Sequence, residues 1–197
     1  MRLLGVSCES LCSALWRLHS IVSGSRACVV TPGGEPELAL EGCDVLVIAD
    51  SAVRGITGIP SGALVMVTDL DAGYEAMLRL PAYRAVLIHA HGDNKWLHGV
   101  APALKQASHG NYVVTGQVEV APGTPALAPF GFTDADRAFL LAAALEASAI
   151  ELSWRPTPVL KPWSDPAVKA LKMSLALRLI ESYAQSLGYE CTSSSPE

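Results

Sequence analysis

The chain has no Lys/Arg cluster longer than a pair, and its 14 basic residues are outnumbered by 19 acidic ones, for a formal net charge of -5. That balance lacks the electrostatic footprint of a nucleic-acid binder, so phosphorylated small ligands would be met through a metal. Long apolar runs are missing too. Stretches such as DVLVIAD and ALVMV fall far short of the roughly 20 residues that span a bilayer, and the N-terminus lacks the basic start and cleavage site of a signal peptide. These absences predict a soluble, cytoplasmic protein with neither nucleic acid nor membrane as a partner. The five cysteines include no C-x-x-C pair, so a metal-thiolate site is not expected, and an odd count leaves one thiol unpaired. Cys8 and Cys12, one helical turn apart, are assigned to the buried face of a helix. There is no internal repeat and no low-complexity segment.

What is present is a chain of 197 residues, 50% hydrophobic, enough to bury a core as one domain. Six short runs rich in Val, Ile and Leu (RACVVTP, DVLVIAD, ALVMVTD, AVLIHAH, NYVVTGQ and AIELSW) alternate with Gly, Pro or helical periodicity, which predicts an α/β fold with a mostly parallel sheet flanked by helices. The first helix should carry Leu11, Leu15, Leu18 and Val22 on one face, with Ser7 as its cap and Gly24 as its stop. Helical connections are expected after Asp50, from Gly73 to Leu80, from Asn94 to about Ser108, and most clearly in FTDADRAFLLAAALEASA, where Thr133 caps. The last helix, at about 165–187, should open with Ser164 as cap and Pro166 in its first turn, and bury a stripe of Val168, Leu171, Leu175, Leu179 and Tyr183. Residues 1–190 are thus expected to form a single α/β catalytic domain, followed by a disordered tail over 191–197.

Polar residues collect where the apolar runs end. Asp50 closes VLVIAD, Asp69 and Asp71 close VMVTDLD, and Asp93 closes VLIHAHGD. In a parallel sheet these ends lie along one edge, where α/β proteins bind ligands. In extended chain Asp69 and Asp71 share a side, as do His89 and His91, because side chains alternate with period two. Oxygen ligands so placed suit Mg²⁺, which takes one or two carboxylates plus substrate phosphates. Metal-assisted phosphoryl chemistry is therefore the leading expectation. A metal-dependent hydrolase built on HAHGD is the alternative: HAHGDN is one residue from the zinc signature H-x-H-x-D-H. That signature needs further histidines downstream, and here only His98 and His109 follow, both soon after. An amidohydrolase-type barrel needs about 250 residues. His91, beside Gly92, is the better functional candidate of the pair, with His89 deeper in the strand.

Four segments, VIADSA, VTDLDA, VLIHAHGDN and GFTDADRAFLLA, followed by the basic helix VKALKMSLALRLI, together resemble the archaeal 6-hydroxymethyl-7,8-dihydropterin pyrophosphokinases, relatives of thiamine pyrophosphokinase. They span residues 47 to 180. The resemblance implies a thiamine-pyrophosphokinase-like catalytic domain. The implied reaction transfers diphosphate from ATP to the hydroxymethyl group of a dihydropterin, releasing AMP, with Mg²⁺ required. A thiamine-type acceptor is the near variant, and a homo-oligomer is compatible. On this reading Asp69, Asp71 and Asp93 hold the metal, and Asp93 and His91 serve the chemistry. Asp50, Ser51, Gly33, Gly34, Asn94, Thr133 and Arg137 contact the nucleotide, the glycines through backbone N–H groups and Arg137 as a charged fork. Asp134 and Asp136 are left open between helix capping and ligand contact. No tryptophan is assigned to the site, although Trp96, Trp154 and Trp163 are available for stacking.

Overall fold

Strands buried on both faces need apolar residues throughout rather than alternation, and the six runs have that character. The computed structural model describes residues 7–34, 42–58, 61–70, 83–90, 102–103, 105–116, 126–127, 130–154 and 165–189. The runs form β1 (Arg26–Val30), β2 (Val45–Ala49), β3 (Ala63–Thr68), β4 (Tyr83–Ala90), β5 (Tyr112–Gly116) and β6 (Ala149–Ser153). They make one sheet in the order β5-β4-β3-β2-β1-β6, parallel at every pairing. The fold is therefore α/β with a parallel sheet flanked by helices. Strand order steps outward from β1 to β5 and then reverses to place β6 on the other side of β1.

Every residue of β2 is buried, and its side chains divide between two cores. Val29, Val47, Val65, Leu87 and Val113 point to one face; Val30, Ile48, Met66, Ile88 and Val114 point to the other. Each such side chain contributes about 1.5–3 kcal/mol by leaving water. The first face is covered by α1 (Cys8–Val22), α2 (Asp134–Ala144) and α3 (Pro166–Leu187). On the second, Ala52 and Val53 of a short 3-10 helix, Asp50–Gly55, pack beside Leu70 and Ala126.

In α1 the capping box is made by Ser7 and Ser10, at 2.8 and 3.0 Å. Leu11, Leu18 and Val22 enter the core with Ala14, while Leu15 is half-buried. Cys8 and Cys12 do not lie on that face as expected; both are exposed, because the turn of helix that buries Leu11 and Ala14 directs them outward. Cys28 and Cys43 instead form a disulfide that ties β1 to the residues entering β2.

The helix α3 departs from expectation in two ways. Its cap is Asp165 rather than Ser164: the carboxylate accepts from the Ala167 and Val168 amides at 2.8 and 3.2 Å. Its inward stripe is Ala176, Ile180 and Ala184, whereas Val168, Leu171 and Leu175 are 56%, 61% and 41% exposed. The reason lies in α2, which presents Ala135, Ala138 and Ala142. Small residues on both helices let the backbones approach, and the bulkier stripe is turned away.

The Tyr83 hydroxyl, at the start of β4, is buried without a hydrogen-bond partner among the described residues, and burial holds its phenol above the ordinary range. Tyr83→Phe removes that unpartnered group and should raise stability by about 1 kcal/mol. A urea denaturation midpoint equal to or below that of the parent protein would contradict this.

Candidate functional site

All six carboxyl ends lie on one edge, and a cavity of about 370 Å³ opens there. Its floor is the residue after β1 (Thr31), after β2 (Asp50), after β3 (Asp69) and after β6 (Trp154), together with His89 of β4. The start of α2 supplies Phe132, Thr133, Asp134 and Arg137, and α3 supplies Lys169, Lys172, Met173 and Ala176. The reversal of strand order between β1 and β6 falls under this cavity, the position at which open α/β sheets hold ligands.

The carboxylate oxygens of Asp50, Asp69 and Asp134 lie within 4.8 Å of one another. Two backbone positions beside them are left-handed without being glycine: Asp50 at φ 43° and Leu70 at φ 73°. Such positions cost on the order of 1–3 kcal/mol each and persist where the surroundings enforce them. Thr68, fully buried at the end of β3, does the enforcing. Its hydroxyl donates to Asp50 Oδ1 at 2.8 Å and accepts the Leu70 amide at 2.8 Å. One side chain thus links the turn after β3 to the carboxylate after β2.

Asp134 and Asp136, undecided from the sequence, take different roles. Asp136 is completely buried and accepts from the Phe132 amide, the Thr133 amide and the Thr133 hydroxyl, each at 2.5 Å. It is the N3 partner of Thr133 in the capping box that starts α2. Asp134 faces the cavity and is paired with Arg137 Nη1 at 3.1 Å, while Arg137 Nε donates to the Phe130 carbonyl at 3.1 Å. The fork expected to meet phosphate is thus partly committed to holding Asp134. Gly131 is left-handed at φ 73°, and a Cβ there would lie 2.6 Å from Arg137 Cγ. Only glycine fits this left-handed turn so close to the Arg137 and Asp136 side chains. Asp136→Ala leaves the Phe132 and Thr133 amides without their acceptor and should cost about 2–4 kcal/mol, read as a lower denaturant midpoint. An unchanged midpoint would remove Asp136 from the capping role.

The remaining expected residues fall out as follows. Ser51 lines the cavity. Thr133 does as well, but its hydroxyl is spent on the cap. At the turn after β1 the lining residues are Thr31 and Pro32, not Gly33 or Gly34. The Gly34 amide, expected to meet phosphate, is donated to the Thr31 carbonyl at 2.8 Å, and a Cβ on Gly34 would lie 2.5 Å from the Ser153 carbonyl oxygen. That glycine serves the packing of β1 against β6. His89 is buried, with Nδ1 2.9 Å from Thr115 Oγ1. Asp71, His91, Asp93 and Asn94 lie outside the described residues.

Sequence reasoning passed over Thr31, Lys169, Lys172 and Met173, and named Trp154 without assigning it to the site. Thr31 and Trp154 had a usable signal, since each directly follows a strand, the rule that picked out Asp50 and Asp69. The α3 residues did not, because the larger apolar stripe pointed to the wrong face.

No family model matches the chain, and no curated protein matches it. Structures with some likeness include alanine racemase from Streptomyces coelicolor A3(2), 16% identical with a TM-score of 0.29, over 95% of this chain and 52% of that one. Alanine racemase of Clostridium difficile 630 is 12% identical with a TM-score of 0.26, over 96% and 52% of the two chains. Alanine racemase from Acinetobacter baumannii is 10% identical with a TM-score of 0.27, over 96% and 56%. The chain spans about half the length of these racemases, and at such TM-scores the likeness bears on neither fold nor activity.

Proposed function

We propose that the protein is a metal-dependent diphosphokinase, with a thiamine-pyrophosphokinase-like catalytic domain, that moves a diphosphate group from ATP to the hydroxymethyl group of 6-hydroxymethyl-7,8-dihydropterin. The observation that carries this reading is the meeting of Asp50, Asp69 and Asp134 in a cavity also lined by lysines and an arginine. Three of the segments that resemble the pterin pyrophosphokinases supply these carboxylates: VIADSA gives Asp50, VTDLDA gives Asp69 and GFTDADRAFLLA gives Asp134. An all-oxygen donor set fits Mg²⁺, which prefers one or two carboxylates and keeps room for water and phosphate.

Asp50, Asp69 and Asp134 would hold the ion. Its chemistry there is to offset charge on the phosphate oxygens, the chief requirement of phosphoryl transfer. The acceptor hydroxyl oxygen forms a bond to the β-phosphorus, the bond from that phosphorus to the α,β-bridging oxygen breaks, and AMP leaves. Asp93 is assigned the hydroxyl proton and His91 a hydrogen bond to phosphate. Asp71 would add a further carboxylate, and Asn94 would pair with the ring edge of a ligand. Thr68 fixes the direction of the Asp50 carboxylate, and Arg137 fixes Asp134. Trp154, buried at the end of β6 and facing the cavity, offers an apolar flank to a planar ring.

Metal content separates this reading from a hydrolase centred on HAHGD. Purified protein should carry no stoichiometric zinc and should bind Mn²⁺, as a Mg²⁺ substitute, at about one equivalent. Stoichiometric zinc that survives dialysis would overturn the kinase reading.

A further inference from the structure

We infer that Lys169 and Lys172 of α3 form an anion clamp that receives the polyphosphate end of the substrate. The inference deepens the phosphoryl-transfer reading and rests on it for the identity of the anion. Residues 169, 172, 173 and 176 follow helical spacing and share one face, and all four line the cavity. Further along the same stripe the helix buries Ala176, Ile180 and Ala184 against the core. Toward the start of α3, beyond Ala176, the cavity-lining positions are Met173, Lys172 and Lys169. Met173 continues the apolar stripe, while Lys169 and Lys172 beside it bring two ammonium groups to the cavity.

Neither lysine forms an ion pair with a carboxylate among the described residues, whose ion pairs include His19–Glu146, Arg26–Glu151 and Asp134–Arg137. Lys172 Nζ rests 5.7 Å from the centre of the Phe132 ring, a contact that steadies the ammonium at the cavity mouth while leaving its hydrogen-bond donors for a ligand. The formal charges of Asp50, Asp69 and Asp134 are matched by those of Arg137, Lys169 and Lys172. A divalent cation held by the carboxylates would therefore turn the cavity positive and call for an anion of several charges. The carboxylates come from the sheet edge and α2, the lysines from α3 alone. A chain of phosphates can thus meet metal on one side and ammonium groups on the other.

The test uses inorganic tripolyphosphate titrated into the full chain with Mn²⁺ present, in the parent protein, Lys169→Gln, Lys172→Gln and the double variant, with Mn²⁺ binding followed separately by electron paramagnetic resonance. Each single substitution should weaken tripolyphosphate binding about tenfold, the double variant should weaken it further, and Mn²⁺ affinity without tripolyphosphate should not fall. Tripolyphosphate affinity unchanged in the double variant, or no tripolyphosphate binding by the parent protein, overturns the clamp. Tripolyphosphate binding that depends on the lysines in a parent protein that takes up no Mn²⁺ supports the clamp while removing the metal reading, so the two fail separately.

Discussion

Asp69→Asn should lower turnover by at least about 10²-fold and remove most Mn²⁺ binding, while the unfolding midpoint holds or rises. The carboxamide keeps the shape of the side chain and deletes the charge that a Mg²⁺ ion needs. The stability half follows from the same geometry. Three carboxylates within 4.8 Å of one another repel, by up to about 4 kcal/mol for a pair at 4 Å with an effective dielectric constant near 20. The Asp134–Arg137 pair and the Thr68–Asp50 hydrogen bond relieve part of this. Asp50→Asn should behave alike, since asparagine tolerates the left-handed backbone found at that position and its amide oxygen can still accept from Thr68. Parallel kinetics and thermal melts decide it. Near-normal turnover in both variants, or a loss of activity matched by a large loss of stability, would contradict a metal role for the cluster.

Breaking the Cys28–Cys43 disulfide should cost about 3 kcal/mol. The bond closes a loop of sequence separation 15, and in the chain-entropy model a loop of about that length restricts the unfolded chain by roughly that amount. Cys43→Ser is the cleaner variant because Cys28 is fully buried between β2 and β6, where a polar replacement would add its own penalty. Denaturation of the parent protein with and without reductant should show the same difference as the substitution. Coincident curves would mean that the bond contributes nothing. Disulfides of this kind persist in oxidising surroundings and in the cytosol of hyperthermophiles. Among the described residues no helix is long and apolar enough to cross a membrane.

The strands were legible because a doubly buried strand must be apolar at every position, and VLVIA or LVMV reads as little else. The caps at Ser7 and Thr133 were legible for a local reason, since a hydroxyl before an apolar period signals a helix start. The edge on which the site sits also followed from the parallel order. What failed depended on partners far away in sequence. The face that α3 buries is chosen by the alanines of α2, not by its own largest side chains. The division of labour between Asp134 and Asp136 depends on which carboxylate turns back to the Phe132 and Thr133 amides and which meets Arg137. The pairing of Cys28 with Cys43 needed the β1–β2 register. At the candidate site the sequence singled out Asp69 and Asp50, but the third carboxylate drawn to them came from α2, some 65 residues beyond Asp69.

The central claim is most directly tested by incubating the protein with ATP, Mg²⁺ and 6-hydroxymethyl-7,8-dihydropterin and identifying the products by ³¹P NMR and mass spectrometry. The account predicts AMP and the diphosphorylated pterin in equal amounts, with neither formed when Mg²⁺ is chelated. Release of ADP or free phosphate, or ATP left intact while a thiamine-type acceptor is also refused, would contradict it.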